Sequence, residues 1–186
     1  MIKKKNKKHL QEFITQEEFE LIFEESLKLE TIGTRKKRRK IKQYRLAILL
    51  GFESGLRIGE IVGWNYGKIP KLQTANINRT SIKLIRMCGK ERMVPRPKRF
   101  SNQAKEMLPF DISRRTLQEF ITKMGKDVLN KQIGFQTLRK GFGNHLARKK
   151  RPLQEIQRLM GALVKVPEIY KHVNPLPAVQ QAREVF

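Results

Sequence analysis

The stretch Tyr44–Trp64, YRLAILLGFESGLRIGEIVGW, governs how the rest of the chain is read. Its apolar residues run almost without a break from Leu46 to Phe52, which predicts a buried helix rather than an amphipathic surface one. Gly55 breaks that helix, and the pattern resumes as a short second one. Arg57 stands between the two, a permanent charge placed directly behind a core helix. Such a charge needs a partner. It can cap the second helix, pair with Glu60 one turn on, or meet an anion from outside.

Working outward, TQEEFELIFEESLKL carries Thr15 and Glu18 at capping-box spacing and sets Phe19, Ile22, Phe23 and Leu27 on one helical face. Downstream, TSIKLIRM alternates around Ile82 and Leu84, CGK turns, and ERMVP resumes an extended run before Pro95 and Pro97, which together predict a β-hairpin. The second half returns to helical spacing. Ser113 caps RRTLQEFITKM, with Leu117, Phe120, Ile121 and Met124 inward and Gly125 as its stop. Leu138, Phe142 and Leu146 define another helix; Pro152 opens one with Leu153, Ile156, Leu159 and Met160 inward and Gly161 as terminator. Pro167 opens a short helix holding Tyr170, and Pro175 and Pro177 set apart a last segment. The expected fold class is mainly α with a small antiparallel β-sheet (α+β). It divides into a basic arm (1–14), one domain (15–174) and a tail or helix (175–186).

The chain has 186 residues and carries 41 Lys and Arg against 17 Asp and Glu, a formal net charge of +24. That imbalance favours a polyanionic partner, nucleic acid first. No apolar run approaches membrane-spanning length and no hydrophobic signal segment follows the basic start, so the expected setting is cytoplasmic, with no membrane partner. One cysteine, Cys88, allows no intrachain disulfide and no cysteine-based zinc site, and His9, His145 and His172 lack metal-ligand spacing. Seven acids fall between Glu12 and Glu30, whereas the cations gather in four runs, Lys3–Lys8, Arg35–Lys42, Lys90–Arg99 and Arg148–Arg151. The first run reads as a solvated tail. From the other three, Arg35, Lys36, Lys37, Arg38, Arg39, Lys40, Arg92, Arg96, Arg148, Lys149 and Lys150, together with Lys140, are the expected DNA-contacting cations.

Four segments share an order: SGLRIGEIVGW, the hairpin IKLIRMCGKERMVP, QTLRKGFGNHL with LQEIQRLMG, and EIYKHV. Together they resemble the catalytic domain of the tyrosine recombinases (phage integrases), in particular divergent integrases of archaeal viruses and plasmids. The resemblance implies the DNA breaking–rejoining fold and a reaction in which a tyrosine attacks a DNA phosphodiester, leaving a 3′-phosphotyrosyl link and a free 5′-hydroxyl. Arg57 and Arg139 match the family's two arginines, whose planar charges meet the charge growing on the non-bridging oxygens. Lys90 matches the hairpin lysine that protonates the leaving 5′-oxygen, with Lys83 as the alternative. Tyr170 matches the nucleophile, and Glu60 the partner that orients Arg57. The phosphotyrosyl ester conserves the bond energy, so no cofactor is implied. The partner implied is double-stranded DNA, met by a chain that is monomeric when free and tetrameric in the synapse. The tail after Pro175 is either a helix that docks on a neighbouring protomer or one that packs on its own domain. The host implied is a prokaryotic cell, with an archaeal one suggested.

The pattern breaks at two positions. Gln136 stands where the family has a histidine three residues before the second arginine, and Ala162 where it has His or Trp. Glutamine donates a hydrogen bond to a phosphate but does not shuttle a proton. His172 is the candidate substitute base, and His145 reads as a packing residue. These losses keep a second reading in view, a catalytically degenerate DNA-binding protein on the same scaffold. A third, an RNA-binding domain, lacks the aromatic-rich strands that stack exposed bases. The family carries a DNA-clamping domain before the catalytic one, and only about a dozen residues stand before the first helix here. The sequence is therefore expected to be either a fragment or a small integrase that grips DNA with its arm alone, with the basic runs expected to compensate.

Overall fold

The computed structural model describes residues 13–85 and 91–161. The first helix, α1 (Gln16–Thr31), opens on the expected capping box: the Glu18 amide donates to Thr15 Oγ1 at 3.3 Å and the Thr15 amide to Glu18 Oε2 at 3.0 Å. Its buried face is Phe19, Ile22, Phe23 and Ser26, whereas Leu27 is exposed. Ser26 takes the inward position because its hydroxyl returns to the Phe23 carbonyl at 2.6 Å, so no polar atom is stranded. The core begins before α1, since Ile14, expected in the arm, is buried.

Helix α2 (Arg35–Glu53) starts at the basic run itself, capped by Thr34. From Leu46 to Phe52 every residue is buried, because α1 and two helices from the second half of the chain enclose that part of α2. Phe19 stacks on Phe52 with ring centroids 4.1 Å apart. α2 ends where Gly55 takes φ +65°; a Cβ there would lie 2.4 Å from Phe142 Cδ1, so both the backbone angle and the space demand glycine. The short α3 (Ile58–Val62) follows at once.

A 3₁₀ turn at Thr74–Asn76 leads to β1 (Ser81–Ile85), which pairs antiparallel with β2 (Glu91–Pro95) in the register Ile82↔Val94 and Leu84↔Arg92. The Ser54 hydroxyl donates to the Pro95 carbonyl at 2.6 Å, tying the end of β2 to the end of α2. The short α4 (Asn102–Glu106) connects to α5 (Arg114–Leu129), α6 (Phe135–Arg148) and α7 (Leu153–Met160); α5 and α6 are the two helices that close over α2. α5 continues through Gly125 and stops at Asn130, which takes φ +50°. Gly125 is a packing residue rather than a stop, since a Cβ on it would stand 2.2 Å from Ile133 Cγ1. A small second cluster of Phe142, Ala147, Ile156 and Met160 seats α7 on α6; Leu153, expected inward, is exposed. Residues 1–12 of the basic arm, the hairpin turn with Lys90, the helix expected around Tyr170 and the tail lie outside the described residues. The architecture among the described residues is a helical domain with one two-stranded antiparallel sheet, as expected.

Candidate active site

Three elements carry arginines to the end of α7. The Gly55 turn delivers Arg57 to the N-cap of α3, where its amide donates to Glu60 Oε2 at 2.7 Å and its guanidinium to Glu60 Oε1 at 3.3 Å. Arg57 Nη2 also donates to the carbonyl of Gly161, at 3.3 Å. From α6, Arg139 donates to the carbonyls of Gly55 and Met160. From β2, Arg92 donates to the carbonyl of Leu159 and, at 2.6 Å, to Glu60 Oε2. Leu159, Met160 and Gly161 thus each receive a guanidinium at the C-terminus of α7. Gly161 caps that helix in the left-handed conformation, φ +56°. The negative end of a helix favours cations, and its last carbonyls lack helical partners.

Exposure separates the three. The Arg57 side chain is 41% exposed, whereas Arg92 and Arg139 are 6% and 3% exposed as residues. The Arg57 guanidinium is therefore partly open to solvent while the other two are held inside the protein. Glu60 is 3% exposed and binds both Arg57 and Arg92. Burial pushes its carboxyl up, but the Arg92 charge, the Arg57 amide and the Arg57 charge outweigh this and hold it below the usual carboxylate range.

The structure brings Arg57, Arg139 and Glu60 together, and it adds Arg92. Expected as a phosphate contact, Arg92 instead turns inward beside Leu84 and Val94 and is committed to Glu60 and Leu159. The period of the strand carries that signal, because Arg92 lies two residues before the inward Val94 and so shares its face. Arg96 is likewise structural: Nε and Nη2 donate to the Phe100 carbonyl at 2.9 and 2.6 Å, and Nη1 to the Asn78 carbonyl at 3.2 Å. Lys83 is not brought to the arginines, for it lies on the opposite, outward face of the hairpin and pairs with Glu91 at 2.7 Å. Gln136 is exposed on the first turn of α6, one turn before Arg139 and the half-buried Lys140. Arg148, Lys149 and Lys150 are exposed where α6 ends. His145 is half-buried, and burial with Lys149 and Arg148 nearby holds it below its ordinary value, with Glu53 opposing. Lys90, Ala162, Tyr170 and His172 lie outside the described residues.

The model of the phage integrase family matches residues 12–176. The fold is similar to that of XerA recombinase (15% identity, TM-score 0.66, covering 95% of this chain and 65% of that one). It is also similar to XerH site-specific recombinase bound to its difH substrate before cleavage (16% identity, TM-score 0.64, covering 100% of this chain and 56% of that one). The post-cleavage complex of XerH with a palindromic difH substrate gives 18% identity and a TM-score of 0.66, covering 95% and 53%. This chain therefore spans 53% to 65% of the length of those recombinases, and at such identities the likeness concerns the fold. A search of curated proteins finds no match.

Proposed function

Because the chain belongs to the phage integrase family, we propose that it is a site-specific DNA recombinase that integrates or excises a mobile element of a prokaryotic virus or plasmid. The observation that carries the reading is the gathering of Arg57, Arg139 and Glu60 at the end of α7, a short run of sequence before the matching tyrosine, Tyr170. The Tyr170 oxygen attacks phosphorus and the bond to the 5′-oxygen breaks. Lys90 gives that oxygen its proton, and the phenolic proton passes to His172. Arg57 takes the phosphate's non-bridging oxygens. Arg139 adds charge from beneath and holds the Gly55 turn in place. Gln136 donates a hydrogen bond where the family uses a histidine. The step is written without a metal or nucleotide cofactor, since guanidinium groups carry the charge. Its partner is double-stranded DNA in the cytoplasm of an archaeal or other prokaryotic host. The working assembly is a tetramer in the synapse, formed from free monomers and linked through the segment after Pro175.

Gln136 and Ala162 favour a second reading, a DNA-binding protein that no longer cleaves. Covalent capture on a nicked duplex separates the two: a Tyr170-dependent protein–DNA adduct supports the enzyme, and its absence with salt-sensitive binding intact supports the binding protein.

A further inference from the structure

Six consecutive cations, Arg35 to Lys40, are all exposed, and they occupy the first two turns of α2. Burial in α2 begins only at Ile41; Lys36, Lys37 and Lys40 edge a cleft shared with Leu29 and Phe120, and all six cations at this end of the helix remain exposed to solvent. Its electrostatics oppose its shape. At i,i+4 spacing Arg35 faces Arg39, Lys36 faces Lys40 and Arg38 faces Lys42, every pair of like sign. The first turn contains no acid to complement the positive end of the helix dipole. The cap offers little compensation, with the Lys37 amide 3.4 Å from Thr34 Oγ1. Among the described residues none of Arg35–Lys42 makes an ion pair, although Arg45, one turn further on, pairs with Glu30 at 2.6 Å. A helix end that loads like charges against its own dipole is a local conflict of the kind found where stability is spent on binding.

The patch is also far from the candidate active site. Arg57 follows the C-terminus of α2, so a rise of 1.5 Å per residue separates it from Arg35–Lys40 by roughly 20–30 Å. At 3.4 Å per base pair, one phosphate cannot touch both, and a single duplex reaching both would span about 6–9 base pairs between them.

We propose that the first two turns of α2 form a second contact for duplex DNA, remote from the phosphate held at Arg57, and that DNA phosphates stabilise the helix there. The proposal rests on the recombinase reading for its partner, but its test does not depend on cleavage. The experiment uses the full chain with Tyr170→Phe, a duplex of about 30 base pairs, and the double substitution Arg35→Glu, Lys36→Glu. Acids in the first turn complement the dipole and pair with Arg39 and Lys40, so the free variant melts higher than its parent. Its DNA affinity falls at least about tenfold at low salt, and the slope of log K against log salt becomes shallower by about 0.9 for each phosphate that the variant no longer neutralises. Hydrogen exchange at residues 35–41 slows when the parent is saturated with duplex, and slows equally in Arg57→Ala.

A variant that melts higher yet binds with parental affinity and slope overturns the contact, whatever the wild type cleaves. So does exchange that DNA leaves unchanged. Protection that disappears with Arg57→Ala overturns the remoteness, and a larger loss on RNA than on DNA duplex overturns the choice of partner. If the substitutions act as expected and the wild type forms no adduct, the contact stands and the catalytic reading falls.

Discussion

Arg57 and Arg139 bear the same charge under different constraints, and their substitutions separate accordingly. Arg57 is the exposed guanidinium, linked to Glu60 and Gly161 by bonds of 3.3 Å. Arg57→Ala is expected to fold normally and to slow single-turnover cleavage by about 10²–10³, the cost of removing one transition-state donor. Arg139 is buried and donates to Gly55 and Met160. Arg139→Ala leaves two buried carbonyls short of a donor, so it loses activity and also a few kcal/mol of stability, on the order of 2–4. Parallel cleavage and denaturation measurements read both; equal stability loss in the two variants would contradict the assignment. Glu60 supplies a pH test. Its folded-state pKa lies below the unfolded value, so its stabilisation is complete above about pH 4.3, the unperturbed value, and disappears as pH falls through the folded one. The gap in stability between wild type and Glu60→Gln, measured by urea denaturation, is therefore expected to narrow below that pH. A gap that stays constant from neutral pH down to acid denaturation would mean that the carboxylate charge is not what Arg92 and Arg57 hold.

At the scale of elements, the hairpin's contribution runs through Arg92, which joins β2 to Glu60 and to the end of α7. Arg92→Met fills the same space without the charge, leaving Glu60 buried with one cation fewer. The expected cost is about 3–5 kcal/mol for breaking a buried pair, with Arg92→Lys recovering part of it. A fall in the denaturation midpoint of Arg92→Met by less than the equivalent of about 1 kcal/mol would refute that link between β2, Glu60 and α7. The helices are legible because apolar spacing and caps are local signals: Thr15, Ser113, Pro152 and Gly161 each stand where the sequence predicts a helix end. Gly125 misleads because glycine serves both as a terminator and as a small surface for close approach, and only its neighbour Ile133 distinguishes them. Arg92 escapes a sequence reading because it sits in a run of cations, KERMVPRPKR, whose composition hides the strand period. The carbonyls of Leu159, Met160 and Gly161 carry no side-chain signature at all, so their role as the meeting point of three arginines emerges only in the fold.

For the whole molecule, the charge of +24 is not evenly available. The seven acids between Glu12 and Glu30 are partly neutralised from within: Glu30 pairs with Arg45, Glu20 with Arg99, and Glu18 with Lys131. Arg99 also pairs with Glu53 and lies over the Phe23 ring, 4.5 Å from its centroid. Among the described residues, exposed cations outside any ion pair cluster at the start of α2 and at the end of α6, with others spread over the surface, such as Lys68, Lys71, Arg79, Lys98, Lys123 and Lys126, and Arg57 stands partly exposed at the candidate active site. That division sets the paired arginines within the architecture and leaves the exposed cations available to an external polyanion of the kind proposed above. The most direct test of the catalytic claim is denaturing electrophoresis after incubating the protein with a nicked duplex, comparing wild type with Tyr170→Phe. The account predicts a protein band shifted by covalently bound DNA that forms in the wild type and is missing from the variant. A wild type that binds the duplex yet yields no adduct, or an adduct that persists in Tyr170→Phe, would contradict it.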